Sequence, residues 1–171
     1  MPLNINAGGD AVGSYTADKQ YVDGGDFGWV EEGAVISVSD EVAGTDEDAE
    51  FQSVRWKTFS YKIFVRNGTY TVTLLFADFW REAAGGRVFT MRVNGTDAEI
   101  DVVQEAQSTA TAYEVSIDAA VSDGFITIES VNTAGDNAHE PILCGIKIVP
   151  VNVKAIRPAD RSALPHPGRL T

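Results

Sequence analysis

Thr69-Tyr70-Thr71-Val72-Thr73-Leu74-Leu75-Phe76 decides the fold. Tyr70, Val72, Leu74 and Phe76 share one face, and Thr69, Thr71 and Thr73 share the other, the period-two signature of a half-buried strand. Threonine is a good strand former on an outer face. Working outward, Arg87 to Val93 alternates in the same way, with Phe89, Met91 and Val93 on one side. Ala34 to Val38, Ser60 to Val65, Tyr113 to Ile117, Phe125 to Val131 and Ile142 to Val149 have the lengths and residue types of further strands. No segment carries a helical stripe; Asp46 to Gln52 and Asp101 to Ala106 have room for a turn or two of helix. Asn67-Gly68, Asn94-Gly95 and Asp123-Gly124 supply the positive φ that tight hairpins need, so the expectation is three hairpins within an antiparallel β-sandwich of jelly-roll type. The two Asn-Gly pairs also continue to Thr as formal glycosylation sequons, but the turn geometry already explains them.

The 171 residues suit one domain with one core. Residues 1–152 read as the sandwich. Residues 153–171, with Pro158, Pro165 and Pro167 interleaved with Arg157, Arg161 and Arg169, read as a tail or linker stub. Thirteen Lys+Arg against 25 Asp+Glu give a net charge of −12. That leaves little for the basic face a nucleic-acid binder needs and disfavours anionic membranes. Cys144 alone cannot make an intrachain disulfide or a cysteine zinc site, and His139 and His166 are few for a histidine metal centre. No apolar run approaches the roughly 20 residues of a membrane span. The start Met1-Pro2-Leu3-Asn4-Ile5-Asn6 lacks the pattern of a signal peptide, so the chain reads as cytoplasmic or as a module of a longer secreted protein.

Chemistry is expected in the connections, which carry function on a strand scaffold. Three stretches set aromatics among polar or small residues: Gly24-Gly25-Asp26-Phe27-Gly28-Trp29, Phe51-Gln52-Ser53-Val54-Arg55-Trp56-Lys57 and Phe76-Ala77-Asp78-Phe79-Trp80-Arg81-Glu82. Glycines bring no side chains to bury the first aromatic pair, and Asp78, Arg81 and Glu82 mark the point where the best strand leaves the interior. Flat rings beside planar polar forks suit a neutral sugar. The C–H face of a pyranose packs on the ring, and its hydroxyls pair with donors and acceptors.

These residues also carry a family resemblance. Ile5-Asn6-Ala7-Gly8-Gly9, Phe51 to Trp56, Tyr61 to Tyr70, Leu74 to Asp78, Gly86-Arg87-Val88-Phe89, Val93-Asn94-Gly95 and Pro141 to Ile146 resemble, in order, the malectin and malectin-like domains. The resemblance spans roughly residues 4–149. It implies a jelly-roll carbohydrate-binding module like those of an endoplasmic-reticulum lectin, plant receptor-kinase ectodomains and bacterial glycoside hydrolases. It places the family's loop aromatics on Phe27, Trp56 and Trp80 and a following phenylalanine on Arg81. The Asp of the last binding loop has no clean counterpart in Ala134 to Glu140, where Asp136, His139 and Glu140 compete. Two tyrosines of the family become tryptophans, which keeps the stacking surface and removes two phenolic hydroxyls.

The resulting expectation is a non-catalytic module for an oligosaccharide or polysaccharide, tethered to a catalytic domain of a longer extracellular or periplasmic protein. Trp56 and Trp80 form the platform, Phe27 or Trp29 closes one side, Arg55 and Asp78 hold hydroxyls, and Arg81, Asp136 and Glu140 complete the site. The reading needs no cofactor and no metal. A glycosidase would need two carboxyls flanking a cleft; Asp78 with Glu82 or Glu140 fits, but among 25 acidic residues such pairs arise by chance. No G-x-S-x-G, H-E-x-x-H or P-loop is present. The acidic run Thr45 to Glu50 lacks the glycine and terminal Glu of a calcium loop and reads as solvated. A protein-interaction ectodomain is the alternative that would use the same loops.

Overall fold

The computed structural model describes residues 2–151, so the proline-rich stretch expected to be a tail lies outside the described residues. Among the described residues thirteen strands form three sheets, antiparallel except for one short parallel pairing. One five-stranded sheet runs β10 (Tyr113–Val121), β7 (Gly68–Phe76), β13 (Gly145–Pro150), β1 (Leu3–Asn6) and β2 (Thr16–Ala17). The second runs β3 (Phe27–Glu31), β6 (Ser60–Phe64), β11 (Phe125–Val131), β8 (Phe89–Val93) and β9 (Thr96–Ile100). A small third sheet, β12 (Ile142–Leu143), β5 (Ser53–Trp56) and β4 (Ala34–Ser37), closes one end.

The core is the apolar face read from the deciding stretch. Tyr70, Val72, Leu74 and Phe76 are buried, Thr71 and Thr73 face outward, and Phe76 meets Phe89 of the other sheet at 5.9 Å between rings. Two short helical pieces sit where the sequence has room for them. Residues Asp48–Phe51 form a turn of 3-10 helix. α1 (Val102–Ala106) starts at Asp101, whose carboxylate accepts from Gln104 N at 3.2 Å as an N-cap.

Two of the three expected hairpins are not hairpins. Asn94 and Gly95 do join β8 to β9 with φ of 45° and 83°, as a tight two-residue turn requires. Asn67-Gly68 instead carries the chain from β6 to β7, and Asp123-Gly124 from β10 to β11, each passing between the two large sheets. The two arches lie side by side: Gly124 N donates to Asn67 Oδ1 at 2.9 Å and Val65 N to the Gly124 carbonyl at 2.9 Å. A positive-φ glycine turns a chain equally well within a sheet or between sheets, so the dipeptide alone does not choose. The run Ile142 to Val149 also divides, into β12 and β13 of different sheets, with buried Cys144 at the break.

The aromatic half of the glycine-rich stretch is strand: Gly24 to Asp26 are turn and loop, and Phe27-Gly28-Trp29 belong to β3. Phe27 pairs with Ile63 and Trp29 with Tyr61, and the Phe27 ring belongs to the core. Gly28 is there because the segment before it crosses close by. Trp29 N donates to the Lys19 carbonyl and Tyr21 N to the Trp29 carbonyl, both at 2.9 Å, and a Cβ at Gly28 would fall 2.3 Å from Tyr21 N. The glycine makes room for backbone, and the aromatics are buried by neighbours distant in sequence.

Burial pushes the Cys144 thiol up to about 12. The thiolate is the reactive form. Iodoacetamide is therefore expected to label Cys144 only as fast as the domain unfolds. Rapid labelling of the folded protein at neutral pH would contradict this burial.

Candidate functional site

Where β7 ends, its chain turns under the control of one side chain. Asp78 is 1% exposed; its Oδ1 accepts from Trp80 N at 3.0 Å and Arg81 N at 3.1 Å, and its Oδ2 accepts from Arg87 Nε at 2.8 Å. Three donors satisfy the buried carboxylate and force the Trp80-Arg81 peptide outward, a local competition with the strand that Asp is suited to win. Thr109 Oγ1 and Ala110 N both donate to the Asp78 carbonyl, at 2.9 and 2.8 Å, which ties the turn to the segment after α1. The Trp80 ring is left 40% exposed, braced edge-on by Phe79 at 5.7 Å.

The facing wall is the small sheet. Trp56 ends β5, with Ala34 of β4 and Ile142 of β12 directly opposite it across the ladder, so it sits on the middle strand of this sheet and its ring stands off the face. It packs on the core on one side, and the Lys57 ammonium lies 5.0 Å from its ring. Its indole Nε1 is buried without a hydrogen-bond partner among the described residues.

A third segment, residues 132–140, closes the ring. Its 3-10 turn Asn137–His139 is capped by Asp136, whose Oδ1 accepts from His139 N at 3.1 Å. Arg81 donates through Nε and Nη2 to the Ala138 carbonyl at 3.2 and 2.9 Å, and Arg87 Nη1 donates to the Glu140 carbonyl. Between these walls lies a cavity of about 300 Å³ lined by Ile36, Trp56, Trp80, Arg81, Arg87, Asn137, Glu140 and Ile142. Its lining combines two indoles, two guanidinium groups, one amide and one carboxylate.

The structure thus brings together Trp56, Trp80, Arg81 and Glu140, four of the residues expected from sequence. Asp136 serves the turn beside them. Arg55 and Asp78 were expected at sugar hydroxyls and are instead beneath the surface, spent on ion pairs. Arg55 is 3% exposed; its Nη2 donates to Asp18 Oδ2 at 2.8 Å, its Nε to the Tyr61 hydroxyl at 2.8 Å and its Nη1 to the Glu32 carbonyl. Tyr61 in turn donates to Asp18 Oδ2 at 2.6 Å; burial and then the Asp18 charge hold the phenol well above its ordinary range, so it remains a donor. Phe27 is in the core and Trp29 covers Arg55 at 5.4 Å, so neither ring lines this cavity. Phe27 instead lines a second cavity of about 610 Å³ at the other end of β7, with Leu3, Phe64, Tyr70 and Pro150. Ile36, Arg87, Asn137 and Ile142 went unread in the sequence, because nothing local distinguishes them from ordinary strand and loop residues.

Comparison with known proteins agrees with this architecture. A family model described as the malectin domain matches residues 1–146. Among curated proteins no significant match is found. Among solved structures, a β-glucuronidase of Bacteroides uniformis superposes with a TM-score of 0.75 at 21% identity, covering 89% of this chain and 18% of the enzyme. The extracellular domain of ANXUR2 from Arabidopsis thaliana superposes with a TM-score of 0.74 at 13% identity, covering 89% of this chain and 49% of that one. At these identities the likeness is one of fold, and the chain spans a small part of the enzyme and about half of the plant ectodomain.

Proposed function

The chain belongs to the malectin domain family, and from that premise we propose that it is a non-catalytic module binding a neutral glycan in the Trp56–Trp80 cavity. The observation that carries the reading is the exposed Trp80 ring facing a second indole across a cavity whose other walls are hydrogen-bonding forks. A sugar ring stacks on Trp80, hydroxyls accept from the Arg81 and Arg87 guanidinium groups, and Glu140 and the Asn137 amide accept from hydroxyls. The cavity volume suits one or two sugar units.

Glycoside hydrolysis has less support. It needs two carboxyls across the bond, and the lining carries one, Glu140, because Asp78 is held by Arg87. The similarity to a segment of a β-glucuronidase supports an accessory role beside a catalytic domain, and the similarity to a plant extracellular domain supports an extracellular setting. A protein-recognition role on the same loops is the second reading, since the plant relative is an ectodomain.

A glycan array followed by affinity-gel retardation with the purified domain tests the proposal. Retardation by a neutral polysaccharide without release of reducing sugar is the expected result. The affinity should change little between low and high salt, because stacking and hydroxyl contacts are not screened. A steep loss with salt would replace the neutral ligand by an anionic one held by Arg81, and release of reducing sugar would establish an enzyme.

A further inference from the structure

We propose that His139 is the positioning residue that latches the 136–140 loop onto the glycan cavity, and that protonation of its ring opens the latch. The proposal rests on reading the cavity as the glycan site. Val88 N donates to His139 Nδ1 at 2.8 Å. A ring nitrogen that accepts an N–H carries no proton, so this contact requires the neutral imidazole with its hydrogen on Nε2. A protonated imidazole has donors at both nitrogens and would set one N–H against another.

The contact matters for the site because of what flanks it. Asn137 and Glu140, two and one residues away, line the cavity. The loop is held to the 81–88 segment through three points only a few residues apart: Arg81 on the Ala138 carbonyl, Val88 on His139, and Arg87 on the Glu140 carbonyl. The two arginines grip backbone and do not titrate in the accessible range. His139 is the one member of the latch that grips through a side-chain acceptor, and that acceptor exists only while the ring is neutral. The charged groups on the elements packed around it are Arg81, Glu82 and Arg87 on the facing segment, and Asp136 and Glu140 on its own loop. Glu140 brings a carboxylate of its own to the cavity, so an acid-dependent change in binding has to be separated from any effect of that group.

Two variants make that separation. Asparagine places a carbonyl oxygen where Nδ1 sits and cannot be protonated, so His139→Asn keeps the acceptor without the switch; His139→Ala removes the acceptor at every pH. The ligand-free protein is followed first, by nuclear magnetic resonance of the imidazole nitrogens and of the exchange protection of the Val88 amide. In the wild type, protection is expected to fall in step with ring protonation. In His139→Asn it should persist through the same pH range, and in His139→Ala it should be absent throughout. The affinity for a glycan that retards the wild type should drop roughly two- to tenfold on ring protonation, the equivalent of one net hydrogen bond. It should stay level in His139→Asn apart from any step owed to Glu140. A Val88 amide that stays protected while the ring protonates would overturn the latch, as would the same affinity profile in the wild type and His139→Asn. Absence of glycan binding at any pH would overturn the sugar reading, while the Val88 amide still decides the latch.

Discussion

Asp18→Ala is expected to lower the stability of the domain by about 3–5 kcal/mol, the cost of leaving a buried charge without its partner. One oxygen of this carboxylate receives Gly8 N at 2.6 Å, the Tyr61 hydroxyl at 2.6 Å, Arg55 Nη2 at 2.8 Å and Arg55 Nε at 3.2 Å. The side chains of Arg55 and Asp18 are 3% and 4% exposed, so water cannot replace what the substitution removes. Asp18 follows β2 directly, and its partners come from the turn after β1, from β5 and from β6, which means that the carboxylate joins all three sheets. Against a total stability on the order of 5–15 kcal/mol, the melting temperature should fall by roughly 10 °C or the domain should fail to fold. Replacing the cation as well, in Asp18→Ala with Arg55→Met, should recover part of the loss, because an apolar side chain is cheaper to bury than an unpaired guanidinium. A melting temperature for Asp18→Ala within 2 °C of the wild type would mean that the network does not hold the sheets together.

That network also marks the limit of what the sequence reveals. Arg55-Trp56 stands beside Lys57 and reads as polar surface, yet Arg55 is interior because Asp18, 37 residues earlier, lies opposite it. Alternation within Thr69 to Phe76 identifies the central strand and its buried face, since that pattern is a property of the strand itself. Which sheet a strand joins is not. Asn94-Gly95 closes a hairpin, whereas Asn67-Gly68 spans the two sheets, and the difference lies in pairing partners beyond the turn. The Asn94 side chain shows how tightly its turn is built in: Oδ1 accepts from Thr127 N at 2.7 Å and Nδ2 donates to the Phe125 carbonyl at 3.3 Å. In the site, Trp56, Trp80, Arg81 and Glu140 are legible because aromatic and charged residues at strand ends tend to be exposed. Asp78 has the same appearance but turns inward, where Arg87 and two backbone amides receive it. Phe27 and Trp29 mislead for the opposite reason, since Gly28 looks like loop chemistry and is instead a close approach of backbone.

The two tryptophans of the cavity, alike in sequence, should respond differently to truncation. Trp80→Ala is expected to weaken glycan binding severalfold to more than tenfold while leaving the melting temperature within a degree or two of the wild type. The ring is 40% exposed and outside the core, so its removal opens no cavity. A stacked ring contributes roughly 0.5–1.5 kcal/mol beyond its area, and each 1.4 kcal/mol is tenfold in affinity. Trp56→Ala should lose binding and stability together. Its ring packs against the core from the middle strand of the small sheet, so truncation leaves a void as well as a missing platform; the cost should be below the roughly 3–5 kcal/mol of a fully buried tryptophan, because the ring is only partly covered. Trp56→Phe keeps an aromatic face while removing part of the indole together with the Nε1–H that has no partner among the described residues. Affinity retained in that variant would mean that Trp56 contributes an aromatic face rather than its N–H. Calorimetric titration and thermal melts on the three variants suffice. The platform is wrong if Trp80→Ala binds as the wild type does, for then the one exposed ring of the cavity takes no part in holding the sugar.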